Sequence, residues 1–380
     1  MNKPIITSVQ LLMLAVGSAL VFPYTFLPIL GTPNANQDVW IVLLLALVYI
    51  VIINAPLLFI MNKFRGLTIN QITDTIMGKC LGKPAALVFV AFFFFCFMAC
   101  SLITTHFMNT YLFSGTPRWV LLLFLVVPVC YASYKGAGTI GRLAVFIVPF
   151  VILTILFFML FGITNFDFSV FQPILADSDF VSINISAFLT ASRYSEILIF
   201  LIFTYYLDNK VSIFKTYGLA IGVFGVCFLL ILVPTVAVLG VDFARMSWNP
   251  YYVYTRQVNA FSFLERVQAL NTLAWFPATV LKLTIYNFMA CRVLSVMFKA
   301  KSHKKFVIPI AALGFIACNI PFLSNSGNIK MLSSDSIFPY VILPVTVVLP
   351  CILVAVYLVR RKKLIPVIKK MQIAKKAAQE

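Results

Sequence analysis

The chain has 380 residues, 62% of them hydrophobic and only 11% charged, with a mean hydropathy of +1.02. That composition excludes a water-soluble globule, which carries about 25% charged residues. The formal net charge of +18 is large, yet its placement along the chain argues for membrane topology and against nucleic-acid binding.

Read from the N-terminus, ten apolar stretches are expected to span a bilayer: Thr7–Leu30, Val39–Met61, Pro84–Phe113, Pro117–Tyr134, Leu143–Ile163, Ile185–Leu207, Tyr217–Leu239, Val267–Phe298, Phe306–Leu323 and Ile337–Leu358. Most approach the roughly 20 residues that cross a hydrocarbon core, and a bilayer forces each to be helical. The first is too long for a cleaved leader and is followed by no small-residue cleavage site. The expected fold class is therefore an all-α integral membrane protein with ten transmembrane helices. Residues 1–359 form the membrane domain, and 360–380 form a basic tail. Cysteines sit mainly in apolar runs (Cys96, Cys100, Cys227, Cys318, Cys351) and read as small buried residues.

With the N-terminus inside, the inner segments hold 22 of the 29 Lys and Arg residues, and the outer loops hold Arg118, Arg245, Arg256, Arg266 and Lys330. This asymmetry satisfies the positive-inside rule with both termini cytoplasmic. The tail "RRKKLIPVIKKMQIAKKAAQE" is expected to lie against anionic lipid, at about 1 kcal/mol per basic residue, or to dock a cytoplasmic partner.

An even span count with this orientation permits a 5+5 inverted repeat, about 7–163 and 185–358, in which the first helix of each repeat is broken at mid-membrane. Span one offers Gly17-Ser18 and Pro23, and span six offers the polar run "TASRYSE". Interruptions are expected near Gly17–Pro23 and Thr190–Tyr194. Within span six, Glu196 lies eleven residues from either end, and Arg193 one turn away from it. Charges so deep normally face a cavity or each other. One reading is a self-neutralising ion pair; the other is a ligand site. In the latter, Arg193 offers a planar fork to a carboxylate and Glu196 accepts an ammonium.

The order and spacing of several motifs resemble the B-subunit, permease-like proteins of bacterial spore germination receptors, in the amino acid–polyamine–organocation superfamily. These motifs are "ITSVQLLMLAVGSALVF", "NQDVW", "FDFSVFQPIL", "WNPYYVYTRQ" and "FLERVQALNTLAWFPATVLKLTIYNF". The chain departs from that pattern at Gln268, where an acidic residue is usual, and in ending span six with "FTYYLD" without a proline. The resemblance implies a leucine-transporter-like fold in the inner spore membrane. It also implies a small nutrient ligand, commonly an amino acid, and two partners, a channel-like A subunit and a lipoprotein C subunit. Gly17, Ser18, Ala19, Arg193, Tyr194 and Glu196 are the expected ligand-binding residues. Lys282 is expected deep in span eight, where its ammonium braces span one in place of a sodium ion; snorkelling toward the cytoplasm is the alternative. A proton-coupled amino acid permease and an ion-conducting subunit are the competing functions.

Other features carry less. His106 falls near an outer interface. "GKCLGKP" lacks the Ser or Thr of a phosphate loop. Gly218 and Gly222 suggest a helix-packing face. No nucleophile–base pair, metal-ligand cluster or cofactor motif is present, so the chain is not expected to be an enzyme.

Overall fold

The structure is a computed structural model; it describes residues 6–25, 27–31, 36–194, 198–207, 211–258, 267–325, 327–329 and 338–377. Among the described residues every regular element is a helix, apart from an isolated bridge between Ile6 and Leu207. Eight helices among the described residues are long and apolar enough to cross a membrane. α1 is Ser8–Thr25, α2 Val39–Lys63, α3 Ile69–Met77, and α4 Lys79–Phe107, which continues as a π-helical turn to Leu112. α5 is Arg118–Lys135, α6 Ala137–Gly162, α7 Phe180–Arg193 and α8 Leu198–Phe203. α9 is Ile213–Leu239, α10 Val241–Met246, α11 Pro250–Thr255, α12 Gln268–Met297 and α13 Lys304–Cys318. α14 is Phe338–Leu343, and α15 is Leu349–Ala377 after a second π turn.

The two stretches that fall short are informative. The expected sixth span is divided into α7, with 14 residues, and α8, with 6. The expected ninth span contains α13, 15 residues or about 22 Å at 1.5 Å per residue. It ends at Asn319, whose amide Nδ2 donates back to the Phe315 carbonyl at 2.8 Å just before Pro321.

α1 runs unbroken through the window where an interruption was expected. Pro23 does lack an amide, but it sits two residues before the helix ends at Thr25, so only one last-turn bond is forfeited. In the same turn Thr25 Oγ1 donates to the Val21 carbonyl at 2.6 Å. Gly17 is a point of close approach: a Cβ there would lie 2.5 Å from Val148 Cγ2 of α6 and 3.4 Å from Leu281 Cδ2 of α12. Gly17→Ala should therefore wedge α1 from α6 and cost about 1–3 kcal/mol by overpacking, read as a lowered melting temperature of the purified protein.

α1 and α12 form the centre, packed on each other, with α6 touching both, α9 on α1 and α4 and α5 on α12. Cys96, Cys100, Cys227 and Cys318 are buried, whereas Cys351 is exposed because α15 turns that face outward. Gly218 and Gly222 have open space around them; the close glycine contact of α9 is Gly225, where a Cβ would meet Leu47 Cδ1 of α2 at 2.5 Å.

Two sequence motifs far apart in the chain fold into one latch. At the start of α2, Asn36 Nδ2 donates to the Asp177 carbonyl at 3.1 Å, and Gln37 Nε2 donates to Pro173 O at 2.9 Å and Asp177 Oδ2 at 3.0 Å. Asp38 is 1% exposed; its carboxylate accepts from Leu175 N at 3.0 Å and Ser178 Oγ at 2.7 Å. "NQDVW" and "FQPIL" thus tie the loop preceding α7 to α2. Asp38→Ala removes a buried acceptor of two charge-assisted bonds, each worth about 1.5–3 kcal/mol. Its expected result is a sharp fall in membrane abundance, while Asp38→Asn retains part of the latch.

Candidate functional site

α7 begins at Asp179, whose side chain caps it by accepting from Ser182 N at 3.4 Å. The helix stays regular through Thr190 and ends on Arg193, so of the expected Thr190–Tyr194 window only the last residue, Tyr194, leaves the helix. Arg193 is 2% exposed at the C-terminal end of α7, where the helix carbonyls favour a cation. Glu196 lies outside the described residues.

Opposite the interruption stands α1. Its Ala15 and Ala19, one turn apart, share a cavity of ≈ 30 Å³ with Tyr194, Phe200 of α8, and Tyr217 and Phe224 of α9. Tyr217 is anchored by α2: Asn54 Nδ2 donates to its hydroxyl at 3.1 Å, and that hydroxyl lies 3.3 Å from the Ile50 carbonyl it donates to. Tyr194 packs edge-on against Phe22 at 6.4 Å and against Phe228 at 5.2 Å. Thr190 Oγ1, buried one turn before Tyr194, has no hydrogen-bond partner among the described residues.

On another side of α1, Lys282 of α12 is fully buried. Its Nζ donates to the Ser18 carbonyl at 2.9 Å and sits 3.4 Å from the centroid of the Phe22 ring, with Tyr286 at 5.8 Å. A cation over a desolvated ring face is worth about 2 kcal/mol or more. Ser18, Phe22, Tyr194 and Lys282 are thereby linked in sequence across α12, α1 and α7. Ala19 faces the cavity. Gly17 does not: its open side is filled by α6 and α12.

Residues that sequence reasoning left without a role close the far end of α1. Trp275 Nε1 donates to Thr25 Oγ1 at 2.7 Å, and Asn249 Nδ2 donates to the Thr25 carbonyl at 2.5 Å. The Tyr24 and Tyr251 rings meet at a tilt, 5.0 Å between centroids, and both hydroxyls are buried without a hydrogen-bond partner among the described residues. Phe107 contacts both Trp275 at 4.4 Å and Tyr252 at 5.2 Å, and His106 lies 4.6 Å from Trp248. The signal was present in "WNPYY" and in Trp275. Only the fold makes these residues a lid, by laying Asn249 and α11 over the end of α1.

The profile of the family described as spore germination protein matches residues 5–327. The chain belongs to that family. Two relatives from Bacillus subtilis (strain 168) agree. Spore germination protein KB is 21% identical over 351 residues, 88% of this chain and 91% of the relative. Spore germination protein YndE is 24% identical over 173 residues, 45% of this chain and 48% of the relative, so that match spans about half of YndE. Among solved structures, MhsT in complex with L-phenylalanine superposes with TM-score 0.64 at 12% identity, covering 92% of this chain and 98% of MhsT. Mhp1, a nucleobase-cation-symport-1 family transporter closed with bromovinylhydantoin bound, gives 0.59 at 16% identity, covering 94% and 79%. At these identities the likeness establishes the fold, a membrane-embedded leucine-transporter-like bundle, and leaves ligand and partners to the site itself.

Proposed function

We propose that this spore germination family member is the membrane subunit of a nutrient receptor in the inner spore membrane. In this reading it has ten spans in a 5+5 inverted repeat, both termini cytoplasmic, and α7 and α8 as one interrupted span. A small nutrient, an amino acid by preference, binds between α1 and the interruption at Tyr194, and Arg193 and Glu196 engage its carboxylate and ammonium. The signal then passes to a channel-like A subunit and a lipoprotein C subunit.

The observation that carries the proposal is the end of α7 beside a cavity shared with α1 and α9. At ≈ 30 Å³ that cavity holds about two waters, far below the roughly 300 Å³ of a ligand pocket. A nutrient therefore enters only when α8 or α9 separates from α1, and such a movement is what a receptor must relay. Lys282 supports the same reading. Transporters of this architecture place a coupling cation on backbone carbonyls near the midplane. Here a covalently attached ammonium rests on the Ser18 carbonyl, so ligand binding is expected to be independent of sodium.

The competing reading is a proton-coupled permease, favoured by the transporters that share the fold. Labelled amino acids presented to proteoliposomes of the full chain separate the two. Saturable binding without accumulation, equal in sodium and choline buffers, is the expected result. Accumulation driven by a pH gradient would replace the receptor with the permease, and binding of none of the twenty amino acids would overturn the nutrient class.

A further inference from the structure

α3 was not expected from hydropathy, and it lies across one end of the bundle. Its Thr68, Ile69 and Asn70 meet Ile202 and Tyr205 at the end of α8 and Arg292 near the end of α12 around a space of ≈ 10 Å³. Those two elements lead back to the candidate site, α8 to the interruption and α12 to Lys282. A nine-residue helix is not stable alone, and α3 is secured at several points. Thr68 and Gln71 form a capping box at its start. At its end Gly78, with φ +85°, turns the chain into α4, and a Cβ on Gly82 would lie 2.6 Å from Asp74 Cα. α3 and the start of α4 are therefore one rigid corner.

The remaining attachment comes from the other end of the sequence. α15 continues as a single helix through the basic tail to Ala377. Arg360 Nη1 donates to the Ile76 carbonyl, one of the last carbonyls of α3, at 2.6 Å. Leu364 and Ile368, one turn apart, are buried at 4% and 6% exposure, and Thr75 Oγ1 donates to Met371 Sδ at 3.7 Å. Gln372 Nε2 donates to the Lys63 carbonyl at the end of α2 at 3.3 Å. Lys362, Lys363, Lys369 and Lys370 are exposed, and at 100° per residue they fall on the face turned away from α3.

We infer that the Arg360–Gln372 segment of α15 is a strap that holds α3 shut across the ends of α8 and α12, and that loosening the strap opens this end of the bundle. The inference rests on the proposed orientation, in which this end is cytoplasmic. It gives the tail a task inside its own chain. A surface that pulls on the outward lysines would be felt at α3 and, through α8 and α12, at the candidate site.

The test uses the full chain in inside-out membrane vesicles, with the exposed Cys80 and Cys351 replaced by Ser and Ile202→Cys as reporter. Ile202 is 4% exposed and borders the capped space. A membrane-impermeant maleimide measures its reactivity, and no nutrient or germination response is needed, so failure here is distinct from failure of the receptor reading. Leu364→Asp with Ile368→Asp should raise the labelling rate at least about tenfold, the consequence of shifting a local opening equilibrium. Thr75→Cys with Met371→Cys, oxidised to the disulfide, should lower it below that of the unmodified strap. A loosened variant of normal abundance with an unchanged rate overturns the inference. If that variant does not reach the membrane, the oxidised pair decides alone: an unchanged rate in the cross-linked protein is then the overturning result.

Discussion

Lys282→Met should abolish or severely weaken the nutrient response while leaving the protein folded and in the membrane. The side chain is fully buried, 2.9 Å from the Ser18 carbonyl and 3.4 Å from the Phe22 ring centroid. Removing the ammonium forfeits a charge-assisted hydrogen bond of about 1.5–3 kcal/mol and a ring contact of about 2 kcal/mol. Methionine also relieves the cost of desolvating a charge and fills nearly the same volume. Replacements of buried charges by apolar residues of matching size are often neutral or better for stability. Stability and function should therefore part company: thermal unfolding of the purified variant close to the parent, and nutrient response shifted by at least about tenfold, the change expected from 1.4 kcal/mol at the brace. Lys282→Arg is the useful companion. It keeps the charge but its planar fork is too long for the space, so it should impair both. A Lys282→Met variant with an ordinary dose-response would remove the lysine from the mechanism and leave it a packing residue.

The second large effect concerns Arg193 and Glu196. Glu196→Gln keeps size and acceptor capacity but removes charge, and should weaken the nutrient response by roughly 5- to 150-fold, the equivalent of about 1–3 kcal/mol. Arg193→Gln should do similar harm, because the guanidinium is 2% exposed and placed at the helix end nearest the cavity. Combining the two changes distinguishes a ligand site from a self-neutralising pair. If both groups serve only each other, each single variant leaves a buried unpaired charge and loses abundance, and the double variant recovers. If both hold the nutrient, the double variant is abundant and unresponsive. An abundant double variant that germinates at ordinary nutrient concentration would sink the binding-site reading.

Hydropathy located most membrane helices closely. Val39–Met61 was expected where α2 runs Val39–Lys63, and Val267–Phe298 where α12 runs Gln268–Met297. The reason is that a bilayer supplies no water to unpaired backbone, so a long apolar run has one available conformation. α3 went unread although its signals were present: Ile69, Ile72 and Ile76 at helical spacing, Thr68 and Gln71 as a cap, Gly78 as a stop. A search for long apolar runs passes over nine residues of mixed polarity. The candidate site was legible in part. Ser18, Ala19, Arg193, Tyr194 and Lys282 were singled out for being polar, small or charged in apolar surroundings. Thr25 and Asn249 were not, and Trp275 carried only the family resemblance, since a threonine at a helix end becomes notable only when an indole and an amide converge on it.

The amino-acid order was enough for the membrane class, the long apolar helices and the burial of Arg193 and Lys282, because each follows from the price of placing a given residue in hydrocarbon, a quantity local to that residue. Whether a helix breaks is not local. Gly17 and Pro23 were a plausible break in α1, yet α1 is continuous, since α6 and α12 press on the glycine and the proline falls in the last turn. α7 ends at Arg193 without glycine or proline in its final turn. The latch of Asp38, the seat of Lys282 on Ser18 and the strap over α3 join residues more than 130 positions apart. Such pairs are settled in three dimensions, because a backbone carbonyl accepts from any suitable donor and a buried ammonium donates to any suitable acceptor, and packing alone selects which partner arrives.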